Sequence, residues 1–315
     1  MKKLVPLLAL ILLLAACGQN PQTGSEEDGK LHVYTTVYPL TYFAEQIGGE
    51  RVNVESVYPA GANEHTFEPT QQDMIALAEA DLMFYVGLGL EGFIDNAKKT
   101  LKNEDVEFVA TADAISDEEL ESGHSHEEEH GEHEDHEGHN HGDTDPHVWM
   151  SPVLSQKLAE SIKDSLVKAD PEGAEMFESN YAKLVEELEQ LDQSFTDLSN
   201  KVSNKTFFVS HAAFGYIAEP YGFEQVAVAG LNSQDEPSQK ELTQIVDLAK
   251  EKKINYIVFE QNVSSNLAEV IQKEVGAEAL EMHNLGVLTQ ENIDNKETYF
   301  TLMEKNLQVL ETVMK

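Results

Sequence analysis

Apolar residues along this chain fall into two alternating kinds of segment. Short runs rich in β-branched and aromatic side chains, Leu31 to Leu40 (LHVYTTVYPL), Asp81 to Val86 (DLMFYV) and Val106 to Ala110 (VEFVA), predict buried strands. Between the first two, Leu40 to Ile47 and Gln71 to Ala80 carry apolar positions at helical spacing. Strands alternating with helices predict a parallel sheet covered by helices.

A further helix is predicted from about Val153 to Lys168, and Asp170-Pro171 then opens a longer one. Phe177, Tyr181, Leu184, Leu188, Leu191, Phe195 and Leu198 recur along it at helical spacing and form one apolar stripe. At about 1.5 Å per residue this helix would extend roughly 45 Å, a length suited to a rigid connector. Beyond it, predicted strands at Thr206 to Ser210, Glu224 to Val228, Ile254 to Phe259 and around Ala279 to Leu288 alternate with helices from Ser238 to Lys252, Asn266 to Val275 and Lys296 to Met314. The expected fold class is therefore α/β, with two lobes whose central parallel sheets are covered by helices, joined by one long rigid linker helix. The expected boundaries are residues 31–168 for the N-terminal lobe, 169–203 for the linker helix and 204–315 for the C-terminal lobe.

Two segments break this pattern. Lys2 and Lys3 precede an apolar run from Leu4 to Ala16 that is too short to span a bilayer, and Leu14-Ala15-Ala16-Cys17 resembles a bacterial lipobox. Residues 1–17 read as a lipoprotein signal peptide ending in a lipidated Cys17, and 18–30 as a flexible tether. The folded part is then expected on the extracytoplasmic side. Inside the first lobe, residues 121–145 hold His124, His126, His130, His133, His136, His139 and His141 among Glu, Asp and Gly, with no apolar residue. Such a stretch cannot form a core and is expected to be a solvated loop that gathers metal weakly at several sites. Its H-E-x-x-H match at His126–His130 lacks the apolar neighbours of a packed helix, which argues against a protease.

Charge narrows the function further. The 315 residues include 58 acidic and 21 basic side chains, for a net charge of -37, so a nucleic-acid partner is excluded by repulsion from phosphate. A single cysteine allows neither an internal disulfide nor a Cys-based zinc site, leaving His and carboxylates for any metal chemistry.

Outside the acidic loop five histidines remain: His32, His65, His147, His211 and His283. His65 lies in a turn-rich stretch, His147 follows Asp145-Pro146, and His211 follows a predicted strand. The stretches GANEHTFEPT, DPHVWMSP, SHAAFGYIAEPYG and VFEQNVSSNLAEVIQKEVGA, in this order, resemble the metal-binding cluster A-I family, the transition-metal solute-binding lipoproteins of ABC transporters, and within it the zinc branch. The resemblance implies a monomeric binding protein and not an enzyme. It would be held to the cell membrane by its lipid, capture Zn²⁺ between two lobes and deliver it to an ABC permease.

Position by position, the resemblance implies His65, His147 and His211 as metal ligands. Manganese-type relatives carry Glu at the position of His211, and imidazole suits zinc. Many relatives offer a carboxylate near Gly286, whereas none occurs here between Met282 and Gln290. The fourth ligand is left among His283, the first candidate, Glu281, Glu260 and a bound water. Glu64 and Glu68 read as supporting or surface carboxylates, and Trp149 as packing beside the site. The alternatives are a manganese or iron protein on the same scaffold and, from other classes, an extracellular zinc hydrolase or an adhesin.

Overall fold

The computed structural model describes residues 29–121, 144–235, 237–261 and 265–315. Its first apolar run is split. Strand β1 covers only Leu31–Thr35, and Pro39, in the first turn, starts helix α1 (Tyr38–Gly48), because proline lacks a ladder donor but suits a helix start. Strand β2 (Val52–Ser56), not foreseen from the pattern, pairs parallel with β1. Helix α2 (Gln71–Ala78) is capped by Thr70 and Asp73 in a reciprocal box. Strand β3 (Leu82–Tyr85), helix α3 (Ile94–Thr100) and strand β4 (Glu107–Ala110) complete a parallel sheet of order β2-β1-β3-β4. A short helix α4 (Asp117–Leu120) follows.

Helix α5 (Pro152–Ala169) leads through a 3-10 turn at Pro171–Gly173 into helix α6 (Ala174–Lys201). The expected stripe of α6 is its inner face, with Phe177, Leu184, Leu188, Leu191, Phe195 and Leu198 buried and Tyr181 half-buried. It packs on α1 and α5 of the first half and on helix α10 (Tyr299–Val313) near the C-terminus.

The second sheet repeats the first. Strands β5 (Thr206–His211), β6 (Glu224–Ala229), β7 (Tyr256–Glu260) and β8 (Glu278–Met282) are parallel, in the order β6-β5-β7-β8. Helices α7 (Gln239–Glu251) and α8 (Asn266–Val275) close a small core of Phe208, Val228, Ala249, Ile257, Ala268 and Ile271 on one face. The larger core is continuous from Val33 to Met314, and Leu31–Lys315 forms one compact unit.

The region expected as a strand around Ala279 to Leu288 ends its strand at Met282. It then turns at Leu285, whose φ of +61° is left-handed, and continues to helix α9 (Gln290–Asp294). In each sheet the strand order reverses beside the first strand, between β1 and β3 and between β5 and β7. In open α/β sheets ligands bind outside the carboxyl ends of the strands at such a point. The lipobox, Cys17 and the seven histidines of the acidic loop lie outside the described residues. Among the described residues no helix is long and apolar enough to cross a membrane.

Candidate metal centre

His211 is the last residue of β5 and Glu260 the last of β7, so both stand at the switch point of the second sheet. The Nδ1–H of His211 donates to Glu260 Oε1 at 2.8 Å, and its Nε2 lies 2.9 Å from the carbonyl of Leu231. His147 starts a 3-10 turn after Asp145-Pro146 and is fully buried. Asp145 Oδ1 accepts from both the His147 backbone N–H at 2.9 Å and the ring Nδ1–H at 2.7 Å. His65 lies in the loop between β2 and α2, where Asn63 Oδ1 accepts its backbone N–H at 3.0 Å and Phe67 packs on Tyr58 and Phe93. Asn63 Nδ2 reaches across to Ser233 Oγ at 3.1 Å, tying this loop to the one that follows β6.

These three segments, more than sixty residues apart in sequence, bring His65, His147 and His211 together. One ring nitrogen from each lies within 4.8 Å of the other two. The Nε2 atoms of His65 and His147 are 3.3 Å apart, and the ring centroids are separated by 5.1–5.3 Å. The carboxylate at Nδ1 of His147 holds that proton away from the cluster and leaves its Nε2 lone pair for a cation, whereas His211 can offer Nε2 only once the proton it directs at the Leu231 carbonyl is lost.

Burial, with the neighbouring imidazoles, pushes His65 down to about 3, which keeps it neutral. For His211 burial acts in the same direction but is outweighed by the charge and hydrogen bond of Glu260, helped by the Leu231 carbonyl, and the group rises to about 9. Both nitrogens of His211 then face acceptors, as an imidazolium requires. Glu64 is also buried; desolvation raises its carboxyl against the opposing pull of its own backbone N–H, and the charges of His147 and His211 reach it.

His283, the first candidate for a fourth ligand, lies outside the group formed by His65, His147 and His211. Its Nδ1 accepts from the Leu285 N–H at 2.8 Å, and its Nε2–H donates to Asn292 Oδ1 at 3.1 Å. The left-handed turn at Leu285 directs the neighbouring Asn284 toward the site's carboxylates instead. Its Nδ2 lies 2.6 Å from Glu64 Oε1 and 2.9 Å from Glu260 Oε2. Glu281 is exposed and, with His283, lines a cavity of about 670 Å³ beside Asn292, Asn295 and Lys305. Glu260 has one oxygen on His211 and the other on Asn284, and so braces His211. Trp149 packs 5.3 Å from the His147 ring and donates to the Asn284 carbonyl at 2.7 Å; Glu68 is exposed.

Sequence reasoning missed Asp145 and Asn284. An acid two residues before a histidine is a usable signal for the first, whereas a lone asparagine after a strand offers none.

A family model described as zinc-uptake complex component A, periplasmic, matches residues 33–313. The zinc-binding lipoprotein AdcA of Streptococcus pneumoniae is 38% identical over 316 residues; the match covers 98% of this chain but 60% of that relative, so the chain spans about three fifths of its length. The high-affinity zinc uptake system protein ZnuA of Bacillus subtilis is 38% identical over 304 residues, covering 96% of this chain and 94% of that one. The crystal structure of the Zn(II)-bound ZnuA-like domain of Streptococcus pneumoniae AdcA overlays with a TM-score of 0.73 at 35% identity, covering 91% of this chain and 99% of that domain. With residues 33–313 matched in order, this chain belongs to the ZnuA family of periplasmic zinc-uptake components.

Proposed function

We propose that the chain is the extracytoplasmic zinc-capturing component of a zinc uptake system. His65, His147 and His211 hold Zn²⁺ as cargo, and the loaded protein delivers it to an ABC permease. The observation that carries this reading is the convergence of three buried or half-buried imidazoles within 4.8 Å, two of them braced by carboxylates at Nδ1. Zinc accepts imidazole at roughly 2.0–2.1 Å in tetrahedral geometry, whereas manganese prefers oxygen donors. The fourth position falls to Glu64, next in sequence to His65, or to water. The names of the family and of its relatives, all of binding or uptake proteins, support a carrier over a catalyst.

In this reading residues 31–168 and 204–315 form the two lobes, 169–203 the linker helix, and the acidic histidine loop an auxiliary collector. Lipid on Cys17 keeps the protein at the membrane; one chain alone anchors marginally, so more than one is needed for stable attachment. The name lipoprotein borne by the pneumococcal relative supports this arrangement.

Calorimetry on the full chain tests the proposal. One tight zinc equivalent is expected, lost severely in each of His65→Ala, His147→Ala and His211→Ala. A variant among the three that keeps wild-type affinity would remove its histidine from the site.

A further inference from the structure

Asn284 is 4% exposed and stands between the two halves of the site. Its Oδ1 accepts the Gly286 N–H at 2.9 Å, and its backbone carbonyl accepts from Trp149 Nε1 at 2.7 Å. With Oδ1 committed to a donor the amide cannot turn over, so both Nδ2 hydrogens are directed to acceptors. One meets Glu64 Oε1, from the loop after β2, and the other meets Glu260 Oε2, from the end of β7. One neutral amide therefore links two buried carboxylates that would otherwise repel. One of the two continues to His211 and the other sits beside His65.

We infer that Asn284 is a positioning residue that sets the site's preference among divalent cations by limiting how many carboxylate oxygens a bound ion can reach. The inference rests on the zinc reading above. Glu260 has one oxygen engaged by His211 and the other by Asn284, so a bound ion could reach it only by sharing or displacing one of these bonds. Glu64 has Oε1 engaged by the amide, which favours coordination through Oε2 alone. The close fit of Gly286 restrains it further, since a Cβ there would lie 2.6 Å from Glu64 Oε1. A site of three imidazoles with at most one carboxylate oxygen suits four-coordinate zinc. Manganese, which favours an oxygen-rich octahedral shell, gains when the carboxylates are freed.

The test compares zinc and manganese binding, by competition against a chelating dye, for the full chain and for Asn284→Ala. Zinc affinity is expected to fall about 10–100-fold, the usual effect of losing a group that orients ligands, with manganese falling less, so that the ratio of the two drops at least about tenfold. Cobalt(II) in the variant should lose the intense visible bands of a four-coordinate ion. Circular dichroism of the metal-free protein checks the fold. If Asn284→Ala does not fold, Asn284→Ser, which keeps a donor for only one carboxylate, carries the same test with a smaller shift. A folded variant with an unchanged metal ratio and cobalt spectrum overturns the inference even if its melting temperature falls, and collapse of both variants overturns it by making Asn284 a residue of the fold alone. Absence of zinc binding in the unaltered chain would instead overturn the zinc reading itself.

Discussion

Asp145 accepts two hydrogen bonds from His147 through a single oxygen, from the backbone N–H at 2.9 Å and from the ring Nδ1–H at 2.7 Å. Backbone and ring are thereby fixed together, and Nε2 is left as the only nitrogen of His147 that can meet a cation. The carbonyl of Asp145 accepts in turn from the buried Tyr216 hydroxyl at 3.0 Å, so the brace is itself held in place. Replacing Asp145 with Ala should weaken zinc by about 10–100-fold while leaving the metal-free fold intact. A chelator competition titration checks this, and unchanged affinity would mean that packing alone orients His147.

Proton competition follows from His211. Its pKa rises from the ordinary 6.5 to about 9 in the folded, metal-free protein. The pairing with Glu260 therefore stabilises the metal-free fold fully below about pH 6.5, and this contribution is lost as pH rises through about 9. Zinc requires Nε2 without its proton, so at pH values between these limits binding should expel at least one proton, and affinity should rise about tenfold per pH unit. His65, held down to about 3, contributes none in that range. Calorimetry in buffers of different ionisation heat measures the count, and zero release near pH 7.5 would contradict the imidazolium assignment.

Gly286 is required by space. A Cβ at this position would stand 2.6 Å from Oε1 and 2.7 Å from the carboxyl carbon of Glu64, closer than real contacts allow. Gly286→Ala should therefore displace the Glu64 carboxylate from Asn284, cost on the order of 1–3 kcal/mol of stability as overpacking does, and weaken zinc. Denaturant unfolding together with a zinc titration checks both effects.

The same contact explains which parts of the site were legible in the sequence. Helix α6 could be read because its stripe recurs from Phe177 to Leu198 within a helix of 28 residues, and a long periodic run outweighs local ambiguity. Strand β2 is hard to read from the sequence because Val52 is its only buried residue and its edge position leaves little alternation to detect. Nothing local connects His65, His147 and His211; family resemblance brought them together before the strand order did.

The sequence near Gly286 holds no carboxylate, yet that of Glu64 reaches this position from across the site and fills the space that a side chain at 286 would occupy. The choice between His283 and Asn284 is made by a left-handed turn at a leucine, a conformation that no residue type there announces.

The central claim is that a zinc ion sits among His65, His147 and His211. Diffraction from zinc-loaded crystals of the full chain, recorded on both sides of the zinc absorption edge, tests it most directly. One strong anomalous peak is expected, roughly 2.0–2.1 Å from a ring nitrogen of each of the three histidines. A loaded crystal with no peak there, or with its principal peak at His283 and Glu281, would contradict the account.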